Sequence, residues 1–143
     1  ANLIFSSNVL EHIDDDVGML ISMKKKLSEN GKIFLYLPAK MLLWSKLDEK
    51  VGHYRRYEIS ELKAKCNIAG LHIEKIHFVD SLGFLASLAL KLVGLDNADV
   101  IASRSSLKFY DRCLFPTSTM MDMLGLKYVF GKNIVVVASK TKT

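Results

Sequence analysis

The sequence has few of the residues that break a chain or staple it. Two prolines and eight glycines in 143 residues are too few for a disordered or low-complexity protein. Its two cysteines, Cys66 and Cys113, show no CxxC spacing. That argues against a disulfide framework, and both sit in apolar patterns expected of reduced core thiols in a cytoplasmic protein. No signal-peptide pattern is present, and the one membrane-like stretch, Leu82–Leu95, is too short to span a bilayer. No internal repeat and no Ser/Gly/Pro-rich linker interrupts the chain, so residues 1–143 are expected to form one domain. The net charge is +5, but the only dense basic spots are Lys24–Lys26 and Arg55-Arg56. A nucleic-acid binder gathers its cations into one stripe interleaved with aromatics, so no nucleic-acid partner is expected and the charge reads mainly as a solubility feature.

What is present is an α/β pattern. Leu3-Ile4-Phe5 is a short apolar run that predicts a strand buried on both faces of a parallel sheet. Asp14-Asp15-Asp16 supplies capping oxygens and negative charge for a helix N-terminus. Val17, Leu20, Ile21 and Leu27 follow at helical spacing, Lys24–Lys26 suit its C-terminal end, and Asn30-Gly31 stops it. Ile33–Leu37 is a second buried strand, closed by Pro38, and completes a βαβ unit. Ala39–Tyr57 reads as a long irregular connection. A helix is expected over Ile59–Ala69, then a strand over Leu71–Val79 whose alternation slips at Glu74-Lys75 and suggests a bulge. Leu82–Val93, Ser105–Phe109 onward and Met120–Leu124 read as helical, the first as a buried or lid helix. Tyr110–Arg112 and Pro116–Ser118 read as a helix-to-loop junction. Asn133–Ala138 is apolar enough to lie inside a sheet.

Several segments together resemble the class I S-adenosylmethionine-dependent methyltransferases. Val9-Leu10-Glu11-His12, after a strand, is similar to the "LEH" segment following the fourth strand of that family. Leu27–Lys32 is similar to its turn into strand five. Pro38-Ala39, Leu43-Trp44-Ser45, Asp48 and Gly52-His53-Tyr54-Arg55-Arg56-Tyr57 resemble a subgroup with a "GH-x-RRY" loop, and Gly131–Ala138 resembles that subgroup's last strand. The resemblance implies the C-terminal half of a Rossmann-like seven-stranded sheet, strands four to seven in the order 4-5-7-6, the last antiparallel. It also implies that the N-terminal cofactor-binding half, with its glycine-rich loop and ribose-binding acid, lies outside this chain. Ala1 is not an initiator methionine and the sequence opens directly on strand-like residues, as expected of a cut in a longer protein.

The same resemblance assigns candidate residues. Ser6, Ser7 and Asn8, at the C-terminal mouth of the first strand, would border S-adenosyl-L-methionine in the full-length protein. Glu11-His12 invites a Mg²⁺ reading, but Asn8 stands where an E-x-x-E-H motif has its first carboxylate, so no metal is expected. His53 would sit on the acceptor side and take a proton from an attacking hydroxyl. Arg55 and Arg56 could grip an anionic acceptor, with Trp44 and Tyr57 beside them. The plainer alternative is a loop tied down by salt bridges to Asp48, Glu49 and Glu58. The implied function is methyl transfer to a small-molecule or lipid-linked acceptor, the isolated chain being inactive; a non-catalytic α/β interaction module is the alternative. The strand Leu3–Ser7, lacking Pro or Lys protection, is expected to pair with its copy in a homodimer.

Overall fold

Asp15 starts the first helix: its carboxylate accepts the Gly18 N–H at 2.9 Å, supplying one of the acceptors that an N-terminus lacks. This places α1 at Asp16–Lys26, between strands β1 (Leu3–Ser7) and β2 (Lys32–Pro38). β1 and β2 are parallel, in register from Leu3 opposite Lys32 to Ser7 opposite Tyr36, so the strand–helix–strand reading holds. In this computed structural model, which describes residues 1–95 and 103–140, two more strands, β3 (Leu71–Val79) and β4 (Asn133–Lys140), complete a four-stranded sheet ordered β1-β2-β4-β3. Among the described residues the further α-helices are α2 (Lys46–Val51), α3 (Ile59–Ile68), α4 (Ser81–Leu92), α5 (Arg104–Phe109) and α6 (Phe115–Met123).

The described residues gather into two compact units. The first holds Ala1–Pro38, Tyr54–His77 and the chain from Ile134; the second holds Ala39–His53 and Phe78–Asn133. In the first unit, Ile33, Leu35 and Leu37 of β2 and Ile134, Val136 and Ala138 of β4 are fully buried. The intervening Phe34 and Tyr36 are only half-buried, so β2 is one-sided in its burial rather than enclosed on both faces. Leu20 of α1 and Leu62 and Cys66 of α3 are fully buried too. Each such leucine contributes about 1.5–3 kcal/mol relative to an exposed one.

The first strand departs from its expected environment. β1 lies at the sheet edge, and Leu3 and Phe5 are 63% and 66% exposed; of its residues only Ser6 is buried. Phe5 stacks on Phe34 at 5.3 Å, but an edge strand with a neighbour on one side has too little cover to enclose an apolar run. β3 runs unbroken through Glu74 and Lys75, both exposed, where the inward side of the strand changes. Cys113 is exposed, whereas Cys66 is buried as expected and burial pushes its thiol up to about 11.

In the second unit, the connection expected to be irregular contains α2. Ser45 and Asp48 form a reciprocal capping box at its start, and Gly52, in the left-handed region at φ 76°, ends it. α4 is buried only over its first turn, at Ser81, Gly83 and Phe84; Leu92 is 79% exposed, so a wholly buried helix is corrected to one anchored at its N-terminus. The expected helix-to-loop junction is instead a π-helical turn, Tyr110–Leu114, joining α5 to α6 without a break. Pro116 follows directly on the π-helical turn, in the first turn of α6, where the hydrogen-bond ladder changes from π to α spacing. Among the described residues no helix is long and apolar enough to cross a membrane.

Candidate functional site

The C-terminal end of β1 carries Ser6, Ser7 and Asn8. Asn8 has a left-handed backbone, φ 51°, which asparagine tolerates better than most residues. Its N–H donates to the Tyr36 carbonyl at 2.9 Å, so the chain leaves the sheet in a defined direction. Ser7 and Asn8 are exposed. Ser6 is buried, and its hydroxyl oxygen has no hydrogen-bond partner among the described residues. A buried hydroxyl left in that condition costs free energy unless a ligand or water completes it.

The turn Leu10–His12 follows, with Glu11 fully buried. The Glu11 carbonyl accepts the Tyr54 N–H at 2.8 Å and the Pro38 carbonyl accepts the Tyr57 N–H at 2.9 Å. Those backbone bonds deliver Arg55 and Tyr57 to Asp16. Arg55 Nη1 lies 2.7 Å and Lys65 Nζ 2.5 Å from Asp16 Oδ2. Tyr57, completely buried, places its hydroxyl 3.0 Å from the same oxygen and 3.2 Å from the Leu10 carbonyl. Arg55 also donates to the Ile13 and Asp14 carbonyls at 3.3 and 3.1 Å. Burial opposes ionisation of Asp16, but the hydrogen bonds from Lys65, Arg55 and Tyr57 outweigh it and hold the carboxyl below its ordinary range. Tyr57 moves the other way: burial and the neighbouring Asp16 charge raise its phenol far above the usual value. Arg56 is half-buried.

In the second unit, the capping carboxylate of α2 has a second task. Asp48 is 1% exposed and accepts the Ser45 N–H at 2.9 Å and the Ser45 hydroxyl at 3.1 Å. Its other oxygen lies 2.7 Å from His53 Nδ1. A carboxylate so placed favours the tautomer with the proton on Nδ1 and directs the accepting lone pair to Nε2. Trp44 is half-buried; its indole N–H reaches Glu49 Oε1 at 3.4 Å, and its carbonyl accepts Lys91 Nζ at 2.7 Å. The structure therefore brings Arg55 and Tyr57 together on Asp16, and pairs His53 with Asp48. The Asp48–His53 pair was foreshadowed by the expected salt bridges, whereas Asp16 and Lys65 carried no sequence signal for their roles beyond a helix-start acid and a surface cation.

No family model matches the chain, and no curated protein matches it. Solved structures do. A chain of the complex between the Haloferax volcanii Trm112 methyltransferase activator and a methyltransferase is similar over 99% of this chain and 55% of its own length, with a TM-score of 0.58 at 12% identity. The fold is that of methyltransferase structures. A methyltransferase from Bacillus halodurans gives a TM-score of 0.54 at 15% identity, covering 99% of this chain and 64% of its own. The O-methyltransferase of a trans-AT PKS multienzyme from Brevibacillus brevis, in complex with S-adenosyl-L-homocysteine, gives 0.51 at 17%, covering 98% and 44%. The chain thus spans 44–64% of the length of these three structures.

Proposed function

We propose that this chain is the acceptor-side half of an S-adenosylmethionine-dependent methyltransferase domain in a cytoplasmic protein, acting on a small-molecule or lipid-linked hydroxyl. The observation that carries the reading is the likeness to methyltransferase structures over nearly the whole chain. The sheet order β1-β2-β4-β3 supports equating these strands with strands four to seven of the seven-stranded domain, the strands that bear the glycine-rich loop lying outside the chain. Ligands of open α/β sheets bind beyond the carboxyl ends of the strands; Ser6, with its unsatisfied buried hydroxyl, and the exposed Ser7 and Asn8 are the residues here suited to the cofactor's edge. When bound, S-adenosylmethionine supplies a methyl group on a sulfonium whose leaving thioether is neutral, so positioning the acceptor matters most.

His53 would receive the proton of the acceptor hydroxyl on Nε2, with Asp48 holding the ring by Nδ1. Trp44, in the same unit as His53, contributes to the acceptor's binding surface. Arg55 and Tyr57 act through Asp16, fixing the segment that presents their neighbours. Radiolabelled methyl transfer by the full-length protein tests this. His53→Gln is expected to lower kcat by about 10²–10⁴-fold, the usual share of general acid–base catalysis, while leaving KM for the acceptor little changed. An unchanged kcat would remove His53 from the chemistry.

A second reading, a dimerising interaction module, is favoured by the exposed edge strand. Among the described residues Leu3–Ser7 has a strand neighbour only in β2, and Leu3 and Phe5 face solvent. Apolar edges seek partners, so the isolated chain is expected to sediment as a homodimer paired through β1. A monomer at high concentration would count against that pairing.

A further inference from the structure

In the second unit, the single 3₁₀ turn Met41–Leu43 leads into the segment that carries Trp44 and Ser45. Its side chains anchor it at one point: Leu43 is buried, whereas Met41 and Leu42 are 49% and 58% exposed. A turn this short cannot satisfy its last carbonyls from its own backbone. α4 supplies a donor for them. Lys91, in the last turn of α4, donates from Nζ to the Leu42 carbonyl at 2.9 Å and to the Trp44 carbonyl at 2.7 Å. A cation at the carbonyl end of a helical turn is favoured by the hydrogen bonds and by the turn's dipole together.

The Trp44 carbonyl belongs to the same peptide unit as the Ser45 N–H, and opposite charges hold the two ends of that unit. Its oxygen accepts from the Lys91 ammonium, and its N–H donates to Asp48 Oδ2 at 2.9 Å. The unit is planar, so fixing the oxygen fixes the direction in which the N–H points. Asp48 is 1% exposed, and its other oxygen lies 2.7 Å from His53 Nδ1. The His53 N–H donates to the Asp48 carbonyl at 2.9 Å as well. Ammonium, peptide, carboxylate and imidazole thus form one run of hydrogen bonds, in which each bond polarises the next. Lys91 acts on His53 through that run.

We infer that Lys91 is a positioning residue for His53: its ammonium sets the Trp44–Ser45 peptide, the peptide sets Asp48, and Asp48 sets the imidazole. The consequence for catalysis rests on the methyl-transfer reading above, whereas the positioning itself does not, and two measurements keep them apart. Proton NMR of the 143-residue chain follows solvent exchange of the His53 Nδ1 proton. Methyl-transfer kinetics of the full-length protein follow the chemistry. Lys91→Met keeps the aliphatic stem and removes the donor. It is expected to speed that exchange about tenfold and to lower kcat about tenfold, with KM for S-adenosylmethionine unchanged. Lys91→Arg, whose guanidinium can donate to both carbonyls, should restore most of both. Lys63→Met removes an exposed lysine of α3 in the first unit and should change neither, which separates position from net charge. Unchanged exchange in Lys91→Met would overturn the proposal whatever the activity, as would equal effects of the methionine and arginine variants, the mark of a packing role. Faster exchange in Lys91→Met, with no methyl transfer by the native full-length protein, would sustain the positioning and reject the methyl-transfer reading.

Discussion

Asp16→Asn is expected to destabilise the chain by about 3–5 kcal/mol, the usual cost of removing one partner from a buried charge cluster. The side chain is 5% exposed, and Arg55 and Lys65, at 21% and 18%, converge on one of its oxygens. Asparagine preserves the shape but leaves two poorly solvated cations facing each other across a neutral amide. It also weakens the acceptor for the buried Tyr57 hydroxyl. Arg55 keeps its bonds to the Ile13 and Asp14 carbonyls and Lys65 its pair with Glu61, which is why the loss does not rise further. The sign of the pH dependence follows from the lowered Asp16 value. A depressed carboxyl contributes stability above its unfolded value, ordinarily 3.8, and loses it as the pH falls through the lower folded value. Urea unfolding at pH 7 and in steps below pH 4 should therefore show the gap between native and variant chains narrowing in acid. A gap under about 1 kcal/mol at pH 7, the scale of a surface ion pair, would mean that the cluster is not the tie described.

Asp122→Ala is expected to cost about 2–6 kcal/mol, at about 1–3 kcal/mol for each of two buried donors left without an acceptor. Asp122 reaches from α6 to the start of α4, where it accepts the Asp80 N–H at 2.6 Å and the Ser81 N–H at 3.2 Å. Ser118, one turn earlier, accepts the Leu82 N–H at 3.0 Å. Side chains of one helix thus satisfy the amides that begin another, and the negative charge lies at the positive end of the α4 dipole. Asp122→Asn keeps one accepting oxygen and gives up the charge, so it should fall between the native chain and the alanine variant. Thermal unfolding with a probe in the second unit measures both. Equal melting temperatures for all three proteins would show that solvent replaces the cap.

Local features of the fold were legible in the sequence because they are made by neighbours. Asp15, the α1 periodicity and Asn30-Gly31 mark a helix whose bounds need no distant partner, and β4 declares itself by its apolar content. α2 was also written locally, in Ser45-x-x-Asp48 and Gly52, yet six residues with a weak apolar pattern read as loop. What escaped depends on long-range placement. Leu3–Phe5 has the composition of an enclosed strand, but exposure is set by which strand lies beside it. The same limit applied to the site. Arg55 could be expected to pair with acids near it in sequence; its partner Asp16 is brought in by backbone bonds from Glu11 and Pro38. Cys113 follows an apolar pattern but falls within the π-helical turn, which rotates the chain relative to a regular helix and leaves the thiol exposed.

On the function proposed above, this chain holds one side of a methyltransferase site and the grip on the cofactor comes from elsewhere in a longer protein. Calorimetric titration of S-adenosylmethionine into the 143-residue chain and into the full-length protein addresses it directly. The account predicts saturable binding by the full-length protein and no measurable heat of binding for the chain alone. Low-micromolar affinity of the isolated chain would contradict the division of the site, and failure of the full-length protein to bind would contradict the methyltransferase reading itself.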